Sequence, residues 1–420
     1  MTIDDNVKYI YKGTTPVNEI YQGSILVWPT SPQRDYSQEY LTFEILTGGT
    51  ISFRYVVWEG ASYAKTIYYS LDSGSTWTSW TNSSTGTPIS VQAGDVVMVK
   101  GNNSAYGEEY KVAYITSTAY FNVYGNIMSL VGGDNFTGIT ALTTDYTFRN
   151  LFATSKVVSA SNLVLPARTL SDNCYYGLFS GCLYLESAPK LPATSLTSFC
   201  YAYMFRNCSS LRAAPRLPAT SLAVSCYEEM FFGCDSLTTA PALPATGLNA
   251  ECYSKMFQGC IGLTSAPALP AETLAIGCYQ YMFGSCRSLS AAPELPATTM
   301  EYGCYRAMFV NCVSLTTSPD LYADTLAGFC YAQMFQGCTG IETAPELLVA
   351  TLEDGCYQDM FKGCSNLNYI KCLATSFGTL STSGWVDGVA ASGTFVKDPT
   401  ASWNTSIAGI PTGWTVEDNS

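Results

Sequence analysis

Apolar residues recur along this chain with two different periods. Ile51, Phe53, Tyr55 and Val57 alternate with Ser52, Arg54, Val56 and Trp58, and residues 96–99 and 111–124 continue the theme between Gly, Asn and Ser turns. A period of two sends every other side chain to one face, so residues 33–126 read as an all-β domain, most simply a small antiparallel sandwich. From residue 174 the period becomes 26 residues: the pairs Cys174/Cys182, Cys200/Cys208, Cys226/Cys234, Cys252/Cys260, Cys278/Cys286, Cys304/Cys312, Cys330/Cys338 and Cys356/Cys364 recur in eight copies without a slip. A fixed period of roughly 20 to 50 residues is the mark of a stacked-repeat solenoid, because one unit cannot bury its own apolar face.

Each copy approximates C-Y-x-x-M-F-x-G-C-x-S-L-T-x-A-P-x-L-P-A-T-x-L. Cys226, Met230 and Cys234 stand at i, i+4 and i+8, which predicts a short helix with Phe231 beside them. Gly233, Gly259, Gly337 and Gly363 fall where such a helix would exit through positive φ. The Ser-Leu-Thr-Thr-Ala-Pro that follows is too short for a helix and ends in proline, which predicts a strand of a few residues. One turn is therefore expected to hold a short helix, a short parallel strand and a Pro-rich return. A Tyr layer (Tyr175 through Tyr357), a Phe layer (Phe179 through Phe361) and Leu layers from Leu185 and Leu191 read as packing residues.

The same motif resembles the BspA-type leucine-rich repeats of surface proteins from anaerobic gut and oral bacteria and of virion proteins of gut Bacteroidetes phages. The resemblance covers about residues 140 to 415, two thirds of the chain. It implies a right-handed curved leucine-rich repeat solenoid with a parallel strand ladder, and binding more than catalysis. The regular L-P-A-T segment departs from the family pattern.

Around the eight-copy solenoid at 167–372, the flanks divide the chain further. Residues 127–166 carry the repeat in worn form, with Leu151-Phe152 and Leu163-Val164-Leu165-Pro166 but neither cysteine, as expected of an N-terminal cap. Residues 373–420 lose the period, contain Trp385, Trp403 and Trp414, and are expected to fold over the last open layer. In residues 1–32, Ile10-Tyr11-Lys12-Gly13-Thr14 is echoed by Ile20-Tyr21-Gln22-Gly23-Ser24, ahead of Trp28. This duplication predicts short β-hairpins. It resembles the starts of phage tail and virion-associated proteins, which implies an attachment segment through Tyr11, Gly13, Tyr21, Gly23 and Trp28; two extra strands on the β-domain are the alternative. Ser70-Leu71-Asp72-Ser73-Gly74-Ser75-Thr76-Trp77 matches the Asp-box S-x-D-x-G-x-x-W of sialidases, here a single turn device without a recognisable arginine cluster. Trp58, Trp77 and Trp80 are expected in the core.

Charge and composition narrow the chemistry. The formal net charge is -13 and there is no histidine. An acidic surface disfavours nucleic acid and anionic membrane, and no run of about 18 apolar residues spans a bilayer. Without histidine the Ser-His and Cys-His pairs and the commonest metal ligand are gone, so neither catalytic residues nor a metal or cofactor are expected. Seventeen cysteines invite disulfides. In a helix, however, the two of one copy would lie about 12 Å apart, beyond the ~7 Å limit. Neighbouring helices at ~8–10 Å would also be too far apart. With no C-x-x-C pair for zinc, a reduced, buried ladder is expected.

For binding, the residue within A-P-x-L runs Lys190, Arg216, Ala242, Ala268, Glu294, Asp320, Glu346, and the residue after the first Leu runs Glu186, Arg212, Thr238, Thr264, Ser290, Thr316, Glu342. Both rows are expected to be exposed, either as a graded binding face or as a freely varying solvated one. Met1-Thr-Ile-Asp-Asp lacks the basic and apolar regions of a secretory signal. That favours a virion subunit, a fibre or decoration protein attached through its N-terminus to other virion proteins and facing a host glycan or protein. A bacterial surface adhesin is the alternative. A carbohydrate-active enzyme or lectin built on the β-domain comes third, and homo-oligomerisation is left open.

Overall fold

A computed structural model describes residues 34–60 and 62–419, together with four short strands ahead of them. Strands β1 (Ile10–Lys12) and β2 (Thr15–Val17) pair antiparallel, as do β3 (Ile20–Gln22) and β4 (Ile25–Trp28). The duplicated segment thus forms the two hairpins its pattern predicts. Gly13 and Gly23 lie outside the described residues, and for Tyr11, Tyr21 and Trp28 only strand pairing is described.

The β-domain is built from β5 (Leu41–Ile45), β6 (Gly49–Val57), β7 (Thr66–Ser70), β8 (Thr78–Thr81), β9 (Thr87–Val91), β10 (Val96–Gly101), β11 (Gly107–Glu108), β12 (Lys111–Ser117) and β13 (Phe121–Asn126). One sheet runs β13-β5-β10-β7-β8 and the other β11-β12-β6-β9. Alternation holds where burial decides it: Ile51 and Phe53 are fully buried, while Ser52 and Arg54 between and beyond them are not. Both sheets feed one core with Phe43, Val99, Ile115 and Phe121. Trp80 is buried, with its indole N–H donating to the Thr87 carbonyl at 2.7 Å. Trp77 is half-buried, with the Lys100 ammonium 4.1 Å from its ring centroid. Trp58 corrects the expectation: it is 59% exposed, because it follows the end of β6, where the alternation stops. The Asp-box is a turn device. Asp72 accepts from the Thr76 amide at 2.9 Å and hydroxyl at 2.7 Å, and the Ser70 hydroxyl accepts from the Gly74 amide at 2.8 Å.

No boundary in packing separates this domain from the repeats. Strands β14 (Val157–Ser159) and β15 (Leu163–Val164) of the worn repeat join β13 in parallel. Ser155 takes the place of the repeat's second cysteine, and its hydroxyl donates to the Ile115 carbonyl. The worn repeat is thus built onto the sheet's edge.

The helix predicted for each turn is absent. In its place is a coil of overlapping β-turns in which every fourth residue is left-handed: Phe199 (φ 55°), Tyr203 (60°) and Asn207 (57°) in one copy, and Ser225 (49°), Glu229 (49°) and Gly233 (68°) in the next. Alternate amides have different partners. Cys200, Ala202, Met204, Arg206 and Cys208 donate three residues back within the coil at 3.0–3.3 Å. Phe199, Tyr201, Tyr203, Phe205 and Asn207 donate at 2.6–3.1 Å to Val224, Cys226, Glu228, Met230 and Phe232 of the next coil. An α-helix would satisfy all of these groups internally and leave none for the neighbour. Left-handed geometry costs roughly 1–2 kcal/mol per non-glycine residue. Five inter-coil bonds per step at about 0.5–1.5 kcal/mol each offset it. Gly233, Gly259, Gly337 and Gly363 do take positive φ, as one station of this recurrence and not as helix exits. The parallel strand is also thinner than expected, reduced in most copies to single bridges such as Ser187↔Ala213 and Thr239↔Ser265.

This ladder draws the coils close. The eight tyrosines stack with ring centroids 5.7–6.2 Å apart. The phenylalanines stack at 5.6–5.9 Å with planes within 2–9°. Such spacing lies well inside the helix-packing distance assumed for the cysteines, so separation between coils is not what leaves them unpaired. All seventeen are free and buried. The second cysteine of each copy has its own partner, donating its S–H to the Phe carbonyl one coil back at 2.9–3.2 Å, from Cys182 to Phe152 through Cys364 to Phe335.

Beyond residue 373 the sequence period fades, but the coil's hydrogen bonding continues into the residues that lie over the last copy. Tyr357 and Phe361 still donate forward, to Ser381 and Trp385. Strand β16 (Thr351–Leu352) pairs β18 (Ser376–Phe377), and β17 (Tyr369–Cys372), β19 (Thr394–Lys397) and β20 (Thr415–Asp418) form a parallel sheet in that order. Trp385, fully buried, stacks on Tyr357 at 6.2 Å and on Trp403 at 5.5 Å.

Candidate functional site

The structure leaves both predicted rows exposed: Lys190, Arg216, Glu294, Asp320 and Glu346 in one, Glu186, Arg212 and Glu342 in the other. They alternate with the buried Leu191, Leu217 and Leu295 and with Leu185 and Leu211, which point into the core. Two ion pairs form within or beside the rows: Arg212 with Glu186 at 3.5 Å, and Glu346 with Lys371 at 3.1 Å. Asp320 accepts from the Tyr322 hydroxyl at 3.3 Å. Glu342 lines a shallow hollow with Thr316 and Thr343, and Arg216 another walled by Pro215, Pro218, Pro241 and Pro244.

One broad concavity among the described residues takes in Lys190, the first member of the first row. It is an open groove of about 1030 Å³ where the β-domain meets the first coils, lined by Arg34, Asp35, Tyr36 and Ser37 ahead of β5, by Ser161 and Asn162 before β15, and by Arg168, Lys190 and Pro192. The chain reaches this point because Asn126 takes the Glu39 carbonyl at 2.9 Å while Gly125, at φ +83°, lets the Tyr40 backbone pass. A Cβ on Gly125 would sit 2.0 Å from the Tyr40 carbonyl oxygen.

Electrostatics within the groove are uneven. Arg34 is held by Glu39 at 2.7 Å and lies 4.8 Å from the Tyr124 ring centroid and 5.2 Å from that of Tyr36. Asp35 is occupied locally, accepting from the Ser37 amide at 3.0 Å, and the bonds from the Ser37 hydroxyl and amide hold its carboxyl below the usual range. Asn162 donates to the Tyr36 hydroxyl at 3.2 Å. Among the described residues no carboxylate pairs with Arg168, Lys190 or Arg216. In the groove, Arg168 and Lys190 are thus free cations beside the Arg34–Glu39 pair and one engaged carboxylate, on a chain whose acids outnumber its bases by 33 to 20.

Sequence reasoning reached Lys190 and Arg216 but missed Arg34, Tyr36, Asn162 and Arg168. A signal for Arg168 was present. The worn repeat reads L-P-A-R where the next three copies read L-P-A-T, and the same column later carries Glu272 and Asp324, so it too runs from basic to acidic. Arg34, Tyr36 and Asn162 had none, since they meet only through the passage of 34–40 beside β13.

A second charged cluster lies on the outer side of the turn coil. The Glu229 carboxylate, 8% exposed, sits 3.2 Å from the Lys255 ammonium and 3.0 Å from Arg206 Nε, whose N–H is not aimed at it. Arg206 is held between the Tyr203 and Phe232 rings. Among the described residues no group of three His, Cys, Asp or Glu side chains could hold a metal ion, and no helix is long and apolar enough to cross a membrane. A scan of protein-family models and a search of curated proteins return no match to this chain.

Proposed function

We propose that this chain is a non-enzymatic structural and adhesion protein of a phage particle, a fibre or decoration subunit that attaches through its N-terminal hairpins and presents a BspA-type leucine-rich repeat solenoid to a host surface. One observation carries the reading. A column of parallel rings runs without a break from Tyr106 of the β-domain through Phe148 and the eight tyrosines to Trp385 and Trp403. A chain with one continuous core behaves as a stiff arm, because adjacent units cannot hinge without opening a stacked interface. The Asp-box supports a turn and not a sialidase-like centre, since its hydrogen bonds close on itself.

The test is mass spectrometry of purified particles from the source culture, comparing the full chain with one lacking residues 1–30. Stoichiometric co-purification of the full chain alone supports the proposal. Recovery in a bacterial envelope fraction, with no particle carrying it, replaces it by the surface-adhesin reading.

A further inference from the structure

We infer that the groove between the β-domain and the first coils is a binding site for an anionic polysaccharide, one whose sugars bear carboxylate or sulfate groups. This deepens the adhesion reading by naming the ligand class of the surface that reading presents.

The first ground is the inversion of charge. On a chain of net charge -13, the charged lining is Arg34, Arg168 and Lys190 against Asp35; Arg34 is paired with Glu39, so the free positive charge is that of Arg168 and Lys190. Asp35 is already turned to the Ser37 amide and hydroxyl. Arg168 and Lys190 are exposed and project from successive coils. Unpaired cations on successive coils are suited to charges repeated along a polymer, and arginine in particular takes carboxylate or sulfate oxygens in pairs.

A second, independent ground is the rest of the lining. Ser161 and Asn162 offer hydroxyl and amide groups beside the Tyr36 ring, and Pro166 and Pro192 supply apolar ground. Hydroxyl-rich rings with one apolar face need that mixture of donors, acceptors and flat carbon surface. A nucleic acid would need a longer run of cations to displace its counterions, and beyond Arg216 the first row turns to Ala242, Ala268 and then Glu294, Asp320 and Glu346. Such a gradient also orients the polymer: its charged stretch belongs over the junction, and the acidic coils repel it.

The experiment is affinity electrophoresis of the purified full chain through gels containing alginate, dextran sulfate or neutral dextran, with a DNA oligonucleotide as competitor. Expected is retardation by alginate or by dextran sulfate, weakened by high salt, with none by neutral dextran. The double variant Arg168→Ala/Lys190→Ala should lower the affinity about tenfold or more, with circular dichroism unchanged. Arg287→Ala, an exposed cation on a distant coil, should leave it unaltered. Retardation by alginate alone assigns carboxylate as the recognised group, and by dextran sulfate alone, sulfate. Migration unaffected by either polyanion overturns the inference, as does equal weakening by Arg287→Ala or preferential binding of the oligonucleotide. Failure here leaves particle association untouched, and loss of particle association leaves polysaccharide binding by the isolated chain to stand, so the two proposals fail separately.

Discussion

The sulfur of Cys208 stands 3.2 Å from the carbonyl oxygen of Phe179, one coil back, and that same oxygen accepts the Cys182 amide at 3.0 Å. The thiol is thus a cross-coil donor in a buried place. Cys226 belongs to the other row, beside the tyrosine column, and its thiol donates to no carbonyl among the described residues. The two rows should answer differently to a hydroxyl. Cys208→Ser should cost less than about 1 kcal/mol, as Ser155 already serves at the matching station, while Cys226→Ser should cost about 1–3 kcal/mol for a buried hydroxyl without a partner. Urea unfolding midpoints of the two variants decide it; equal losses would remove the distinction between the rows.

Burial pushes the thiols of Cys182 and Cys260 up to about 12 from an ordinary 9.0, and raises the ring hydroxyl of Tyr201 as well. A group whose folded value is raised keeps its proton in the fold while the unfolded chain releases one. The stabilisation is therefore complete below about pH 9 and is lost as pH climbs toward 12. Cooperative unfolding in that window, followed by far-ultraviolet dichroism and tyrosinate absorbance together, is expected. Tyrosinate appearing while the dichroism holds would contradict it.

The left-handed stations can be tested where space is not limiting. Gly259 stands at φ +77°, and a methyl group on its Cα would meet no heavy atom closer than 3.6 Å, so Gly259→Ala should carry only the conformational cost of about 1–2 kcal/mol. Gly125→Ala meets the Tyr40 backbone as well and should prevent the 34–40 segment from docking on β13. Thermal melts rank the two, and a Gly125→Ala melt matching Gly259→Ala would refute the close approach.

Adjacent glutamates on one coil should behave oppositely. Glu229→Gln leaves Lys255 and Arg206 without their shared carboxylate and should destabilise by about 1–3 kcal/mol. Glu228 has its carboxyl raised by burial, so its charged form is the disfavoured one, and Glu228→Gln should be neutral or mildly stabilising at pH 7. Melting temperatures of both variants at pH 5 and 7 test the pair, and a loss at Glu228 equal to that at Glu229 rejects it.

Trp385 closes the tyrosine and phenylalanine columns together, 6.2 Å from Tyr357 and 6.1 Å from Phe361. Trp385→Ala should cost about 3–5 kcal/mol and open the last coils first. Hydrogen exchange concentrated at residues 356–418, with the first coils still protected, is the expected pattern; uniform loss across all coils would argue against a cap.

By itself the sequence determined the period, the layers and the buried rows, because identical residues at a fixed spacing must occupy identical places in a stack. It also carried the alternation of the β-domain and, through Lys190, one contributor to the groove. Backbone conformation was another matter. Cysteine and methionine four apart fit a helix, but so does a coil of turns with a four-residue recurrence, and side-chain spacing alone does not separate them. The recurring Gly, Asn and Ser at those stations, as in Asn173, Gly177 and Gly181, were a trace of the answer, although Phe199, Glu229 and Lys255 occupy them too. Only the tertiary structure decided it, because the odd amides find their acceptors 25 residues away in a neighbour that exists only once the stack has formed. The same holds for the groove, whose Arg34 and Arg168 are brought together by a sheet edge that the first coil adopts as its template.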